Sequence, residues 1–300
     1  MALLRLLPPL CLLLQLAGCA VADGAEQDTF VSVGSLPEVV STGPAPAPAR
    51  PLPALPLPPA SAAAVAAPLE STPDLYALSL RLRVRADDGD VQAAWQLSQI
   101  HEYCAGHAAD PARYAQVGAP GVPGMAAARA RISRRCGGFV PADGLVREQV
   151  ITQRRQAALE GSLAAEASLL GLGEPLSADP DYRRDLALRV LEAGDGEAMY
   201  ALAPAMGLRA SDDPAMAGLV AGSVEAELAW RLAACELGKD CGPGSMVMDS
   251  YCAHGGICSS HEGEHLIDLV QRTRPQQVAG RNQATLLMRQ LLEARRLAWR

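Results

Sequence analysis

His261 and His265 stand four residues apart, with Glu262 directly after the first of them. On an α-helix residues i and i+4 share a face, so both imidazoles could hold one zinc ion while Glu262 acts as general base on a bound water. Such a centre needs a third protein ligand, and the distant candidate is Glu293. Two features work against it: Gly263 weakens a helix, and Glu264 places a charge between the histidines. The competing reading is a capped first helical turn, with Ser259 or Ser260 as cap and Glu262 and Glu264 near the positive helix end. Cys252, His254, Cys258, His261 and His265 also fall within 14 residues. Reduced thiolates there would suit zinc, although no Cys-x-x-Cys is present. His101, after an apolar stripe, and His107, in a loop beside Cys104, have no partner that the sequence places.

His261-Glu262-Gly263-Glu264-His265 resembles the core motif of the zincin metalloproteases, which implies a zinc-dependent hydrolase. The extended His-x-x-Gly-x-x-His tail of the metzincin branch is absent. Other chemistries are excluded more firmly. Lys239 is the only lysine, and no Gly-x-x-x-x-Gly-Lys surrounds it, so there is no P-loop. Neither a Ser-x-x-Lys nor a Gly-x-Ser-x-Gly nucleophile elbow occurs. A formal net charge of −7 argues against nucleic acid as a partner. The reading adopted is a non-enzymatic one, without cofactor or resident metal.

The N-terminus reads as an export signal. Arg5 precedes an apolar run from Leu6 to Leu16, and small residues lead to Cys19. The run is shorter than the about 20 residues of a spanning helix. Leu16-Ala17-Gly18-Cys19 resembles the lipobox of bacterial lipoproteins. That resemblance implies cleavage before Cys19, a diacylglycerol (palmitate-type) anchor on its thiol and an acylated new N-terminus. Acyl chains add about 0.8 kcal/mol per buried CH₂, so the anchor is effectively permanent. Ala20, where the enterobacterial family uses Asp for inner-membrane retention, implies the outer membrane, facing the periplasm. The membrane is therefore the first expected partner, and another envelope protein the second.

Export changes the reading of the cysteines. Cys11 lies in the signal and Cys19 carries lipid. Cys104, Cys136, Cys235, Cys241, Cys252 and Cys258 remain, an even number in an oxidising compartment, which predicts three disulfides. Connectivity stays open on spacing alone. Glycines near Cys235–Cys241 and Cys252–Cys258 would allow a turn within each pair; Cys104 with Cys136 would then staple the first repeats. The stretch from Cys235 to Cys258 is similar to a cysteine-rich segment of uncharacterised proteobacterial envelope proteins, and the similarity implies no activity.

Three regions follow: a signal peptide over 1–18, a lipidated cysteine and disordered Pro/Ala-rich linker over 19–70, and a helical domain over 71–300. Pro44 to Pro68 favour polyproline II and cannot build a core. Roughly twenty-five such residues at about 3.1 Å each reach up to ~75 Å. In the domain, Thr72-Pro73, Asp110-Pro111, Asp179-Pro180 and Asp213-Pro214 each offer a cap before a proline. Apolar residues recur at three and four in Leu75-Leu78-Leu82-Ala86, in Leu186-Val190-Ala193 and in Leu287-Leu291-Ala294-Ala298. Arg81 to Arg85 and Arg129 to Arg135 read as solvated helix faces, with anionic lipid headgroups a lesser option.

One pattern repeats. Gly89-Asp90-x-x-Ala93-x-x-x-Leu97 returns from Gly194 to Leu202 and from Gly222 to Trp230, more weakly from Gly161 to Leu169, and poorly from Gly124 to Ile132. The glycine ends one helix, Asp or Ser caps the next, alanine lets two helices approach, and the last residue plugs the core. The glycines fall 35, 37, 33 and 28 residues apart, near the period of helix–turn–helix solenoids. At these residues the chain resembles the Sel1-like branch of tetratricopeptide repeats, without that family's Leu-Gly-x-x-Tyr and glycine-rich second helix. The predicted fold is all-α: helical hairpin repeats in an α-solenoid-like domain. The resemblance implies protein–protein scaffolding on a concave face.

Overall fold

The computed structural model describes residues 69–114, 116, 122, 124–273 and 278–298. The signal peptide, Cys19 and the proline-rich linker up to residue 68 lie outside the described residues. Those that are described form twelve α-helices and no strand: α1 (Leu75–Asp87), α2 (Val91–Ala109), α3 (Pro111–Tyr114), α4 (Met125–Arg135), α5 (Arg147–Leu159), α6 (Leu163–Leu172), α7 (Pro180–Ala193), α8 (Gly196–Met206), α9 (Val224–Glu236), α10 (Met246–Gly255), α11 (Leu266–Thr273) and α12 (Val278–Ala298). The all-α, solenoid-like class read from the sequence is the observed one.

The repeated pattern does the structural work assigned to it. Gly89, Gly161, Gly194 and Gly222 all have positive φ, where a side chain would be strained. The next residue caps each following helix: Asp90, Ser162, Asp195 and Ser223 accept the backbone N–H of Ala93, Ala165, Ala198 and Ala226. Those alanines are buried, as are the plugs Leu97, Leu169, Leu202 and Trp230. Gly124, the poorest match, keeps the positive φ and the buried Ala128 and Ile132, but caps α4 without a side chain. A sixth copy is visible only in the structure. Gly244 has positive φ, Ser245 caps α10 through the Met248 N–H, and Cys252 takes the plug position.

Several expected details shift. The cap of α1 is Asp74, which accepts the Ala77 N–H at 2.9 Å, so Pro73 precedes the helix instead of opening it. Asp213 caps only a single 3₁₀ turn, Pro214–Met216, because Ala217 leaves helical geometry and Gly218 turns the chain. Ala193 and Ala294 are exposed; the inward row of α12 is Ala284, Met288 and Leu291 instead. Leu69, within the linker range read from the sequence, has a buried side chain.

Packing runs from neighbour to neighbour, α1 on α2, α2 on α5, α5 on α6, α6 on α8, α8 on α9, and α12 back on α9 and α7. One contact departs from this order: α10 returns to pack on α4. Two apolar clusters result. The larger joins α5 to α9 with α11 and α12; the smaller joins α1, α2 and α4 around Phe139. Helices α2 and α10 contribute to both.

Candidate functional site

The His261–His265 segment is a turn, and α11 starts only at Leu266. Gly263 sits at φ +90°, so the two imidazoles are not stacked one helical turn apart. The His261 ring faces the backbone oxygen of Glu262 through Nδ1 at 3.1 Å. Glu264, read from the sequence as a solvated residue at a helix start, is 1 % exposed. Its carboxylate accepts Arg272 Nε at 2.7 Å and the Ser260 N–H at 2.8 Å. Those bonds, Arg272 first, hold its pKa below the ordinary carboxylate value. Asp268 accepts the N–H of His265 at the start of α11, in place of Ser259 or Ser260. Among the described residues no group of three His, Cys, Asp or Glu side chains is placed to hold a metal ion.

The six remaining cysteines are brought together as Cys104–Cys136, Cys235–Cys241 and Cys252–Cys258, with Cα separations of 5.5, 5.6 and 4.3 Å. The first pair joins α2 to the end of α4; the other two close short loops after α9 and α10. Cys19 lies outside the described residues.

The second arginine run is not a solvated face. Arg129 donates to the carbonyl of Ala253 and Arg131 to the Asp249 carboxylate, both on α10. Arg135 holds the entering chain through the carbonyls of Leu69, Glu70 and Thr72. Asp249 also accepts the hydroxyl of Tyr103 at 3.1 Å. This is what brings α10 back to the first repeats.

Because α10 returns, a cleft of about 370 Å³ opens between α2, α5, α6, α8, α9 and α10. Two glycines bring its helices close together. A Cβ on Gly171 would overlap the carbonyl of Ala201, so α6 and α8 meet at backbone distance. Gly196 likewise lets the start of α8 touch the end of α9, where its Cβ would lie 2.8 Å from Ala234 O. That approach delivers Lys239 to Glu197, whose two oxygens take Nζ at 2.9 and 3.1 Å. Gln99 of α2 donates to the same carboxylate at 2.7 Å.

The cleft is charged, and its charges are layered. Arg154 is 3 % exposed, packs over the Trp95 ring at 5.2 Å, and gives both terminal nitrogens to Glu102 at 3.2 and 2.6 Å. Arg231 donates to the Tyr251 hydroxyl and to Glu227, and lies 5.7 Å from the ring centroid of Tyr200. Burial pushes the Tyr200 hydroxyl pKa up, so it stays a neutral donor. The cations lie beneath, while Glu102 keeps 53 % and Glu197 34 % of its side chain exposed. Trp95 lines the same wall at 3 % exposure, its buried Nε1 without a partner among the described residues. Sequence reading missed this cluster because its members come from five separate segments. The one available hint was Lys239, a lone lysine in an arginine-rich chain.

Compared with models of known families, with curated proteins and with solved structures, the chain matches none.

Proposed function

We propose that this chain is a lipid-anchored protein of the bacterial envelope, a non-enzymatic module that holds a partner protein in the cleft between its helical repeats. The observation that carries the reading is the cleft itself. Its lining is drawn from successive repeats and α10, and sets Gln99, Glu102, Glu197, Tyr200 and Lys239 among apolar side chains. Convergent polar groups in a concavity of a few hundred Å³ are the usual mark of a binding site. The likeness of the repeats to the Sel1-like tetratricopeptide branch supports the same conclusion. Anchoring rests on Leu16-Ala17-Gly18-Cys19 after an apolar run; Ala20 favours the outer membrane, with the domain in the periplasm.

Two experiments test it. In Cys19→Ala, processing before residue 19 and partition into the detergent phase should both be lost; unchanged partition removes the anchor. A photo-crosslinking residue at Gln99, in the cleft, should trap a discrete protein adduct in intact cells, while the same residue at Leu159, exposed on α5, should not. Equal labelling from both positions would refute a cleft-bound partner.

A further inference from the structure

From the layering of charge in the cleft we infer that it binds a basic segment of its partner, an extended peptide whose lysine or arginine side chain enters between Glu102 and Glu197. This rests on the protein-binding reading above and adds the chemistry of the ligand. The cleft holds three cations, Arg154, Lys239 and Arg231, and each is already bonded to a carboxylate. Arg154 and Lys239 keep only 3 % and 6 % of their side chains exposed. Arg231 is held by Glu227 and Tyr251. An acidic ligand would have to displace Glu102 or Glu197 from a buried cation, leaving a carboxylate to be rehoused.

A basic ligand displaces nothing. Each carboxylate oxygen has lone pairs beyond those taken by Arg154, Lys239 and Gln99, and the exposed edges of Glu102 and Glu197 face water. Sharing a carboxylate between a buried cation and an incoming one adds to the two ion pairs already there, Arg154–Glu102 and Lys239–Glu197. Two further residues line the cleft. Pro204, on the same wall, has no N–H to give the carbonyl of Tyr200 one helical turn earlier. That leaves the carbonyl without its usual helical donor. Trp95 brings the opposite need, an indole N–H that is buried and has no acceptor among the described residues. The volume of about 370 Å³ admits one long side chain with its adjoining backbone. Residues 69–300 hold 24 basic against 29 acidic side chains, and this acidic balance draws basic segments toward the domain.

The test is calorimetric titration of the protein with three sets of seven-residue peptides, one rich in Lys and Arg, one rich in Asp and Glu, one uncharged. Basic peptides should bind, weakening about tenfold in Glu102→Gln, since a charge-assisted bond is exchanged for a neutral one. Binding should weaken again between low and high salt. Gln99→Lys, which adds a cation beside Glu197, should reduce binding as well and stands in if Glu102→Gln alters the circular dichroism spectrum. Ser250→Trp, which fills the cleft from α10, should abolish it. If acidic or uncharged peptides bind and Ser250→Trp removes that binding, the cleft is a peptide site and the charge inference is overturned. If basic peptides bind equally to wild type, Glu102→Gln and Ser250→Trp, the attraction belongs to the acidic surface at large and the inference also fails. Binding by none of the three sets overturns both the inference and the peptide-holding reading.

Discussion

Single side chains divide sharply into those the sequence placed and those it did not. His101 illustrates the second kind. From sequence it is a lone histidine after an apolar stripe; in the fold it is fully buried, Nδ1 facing Gln153 Oε1 at 3.0 Å and Nε2 without a partner among the described residues. Burial, ahead of any other cause, holds its pKa below the ordinary 6.5. The unfolded chain then takes up a proton near 6.5 that the folded chain refuses. Stability from the neutral ring is therefore complete above that value and falls as pH drops below it. The urea midpoint should be lower at about pH 5.5 than at about pH 7.5. Glu70, lifted by burial above 4.5, titrates in the opposite sense, so the comparison that isolates His101 is His101→Phe, in which the drop should shrink. An undiminished drop in that variant removes His101 as its source. Glu264 makes the same point for charge. The four residues around it suggest a helix start, and only its distant partner Arg272 explains why a carboxylate is buried there.

At the scale of helices, most of the fold was legible. A glycine, a capping Asp or Ser, a small residue and a large plug at fixed offsets are local requirements of one turn followed by one helix, and local requirements are written in consecutive residues. The Gly244–Cys252 copy escaped because Met248 and Cys252 stand where alanine and leucine stand elsewhere, although the turn and cap are the same. Local patterns also misjudged faces. Ala193 and Ala294 continue apolar rows in sequence but lie on exposed surface, since which stripe is inward depends on where the neighbouring helix lies. The caps can be tested directly. Asp195 accepts the N–H groups of Glu197 and Ala198 at 2.8 and 3.3 Å, at the start of the helix that carries Glu197 and Tyr200. Asp195→Ala should lower unfolding stability by about 1 kcal/mol, read by urea denaturation, with Asp195→Asn largely restoring it. A loss in Asp195→Asn equal to that in Asp195→Ala would show that the charge, not the cap, was at work.

The molecule as a whole is more tightly joined than its repeats imply. In an ideal solenoid each repeat touches only its neighbours, and distant parts open independently. Here Arg129, Arg131 and Tyr103 of the early helices bond to α10, more than a hundred residues later in the chain. Nothing in the periodicity foretells such a return, because it is a pairing of surfaces and not a local preference. The Cys104–Cys136 bond ties the same region. It closes 32 residues against 6 for Cys235–Cys241, so loop entropy assigns it about 3.7 kcal/mol against about 2.2. Replacing both members of the longer pair by alanine should lower stability by about 1.5 kcal/mol more than the same change in the shorter pair. Equal losses would mean that native contacts, rather than loop length, set the effect. The return of α10 has its own test in Arg131→Ala. Asp249 has 1 % of its side chain exposed, and Arg131, at 40 %, neutralises it at 2.6 Å. Removing the arginine leaves a buried carboxylate whose remaining side-chain partner among the described residues is the Tyr103 hydroxyl, a loss of about 3 kcal/mol. The location of the loss is the decisive measurement. If α10 clamps the two ends of the repeat array, amide hydrogen exchange should quicken in α4 and α10 and also in α2, while α7 and α12 keep their protection. Faster exchange confined to α4 would show that the repeats open one at a time, and that α10 merely rests against them.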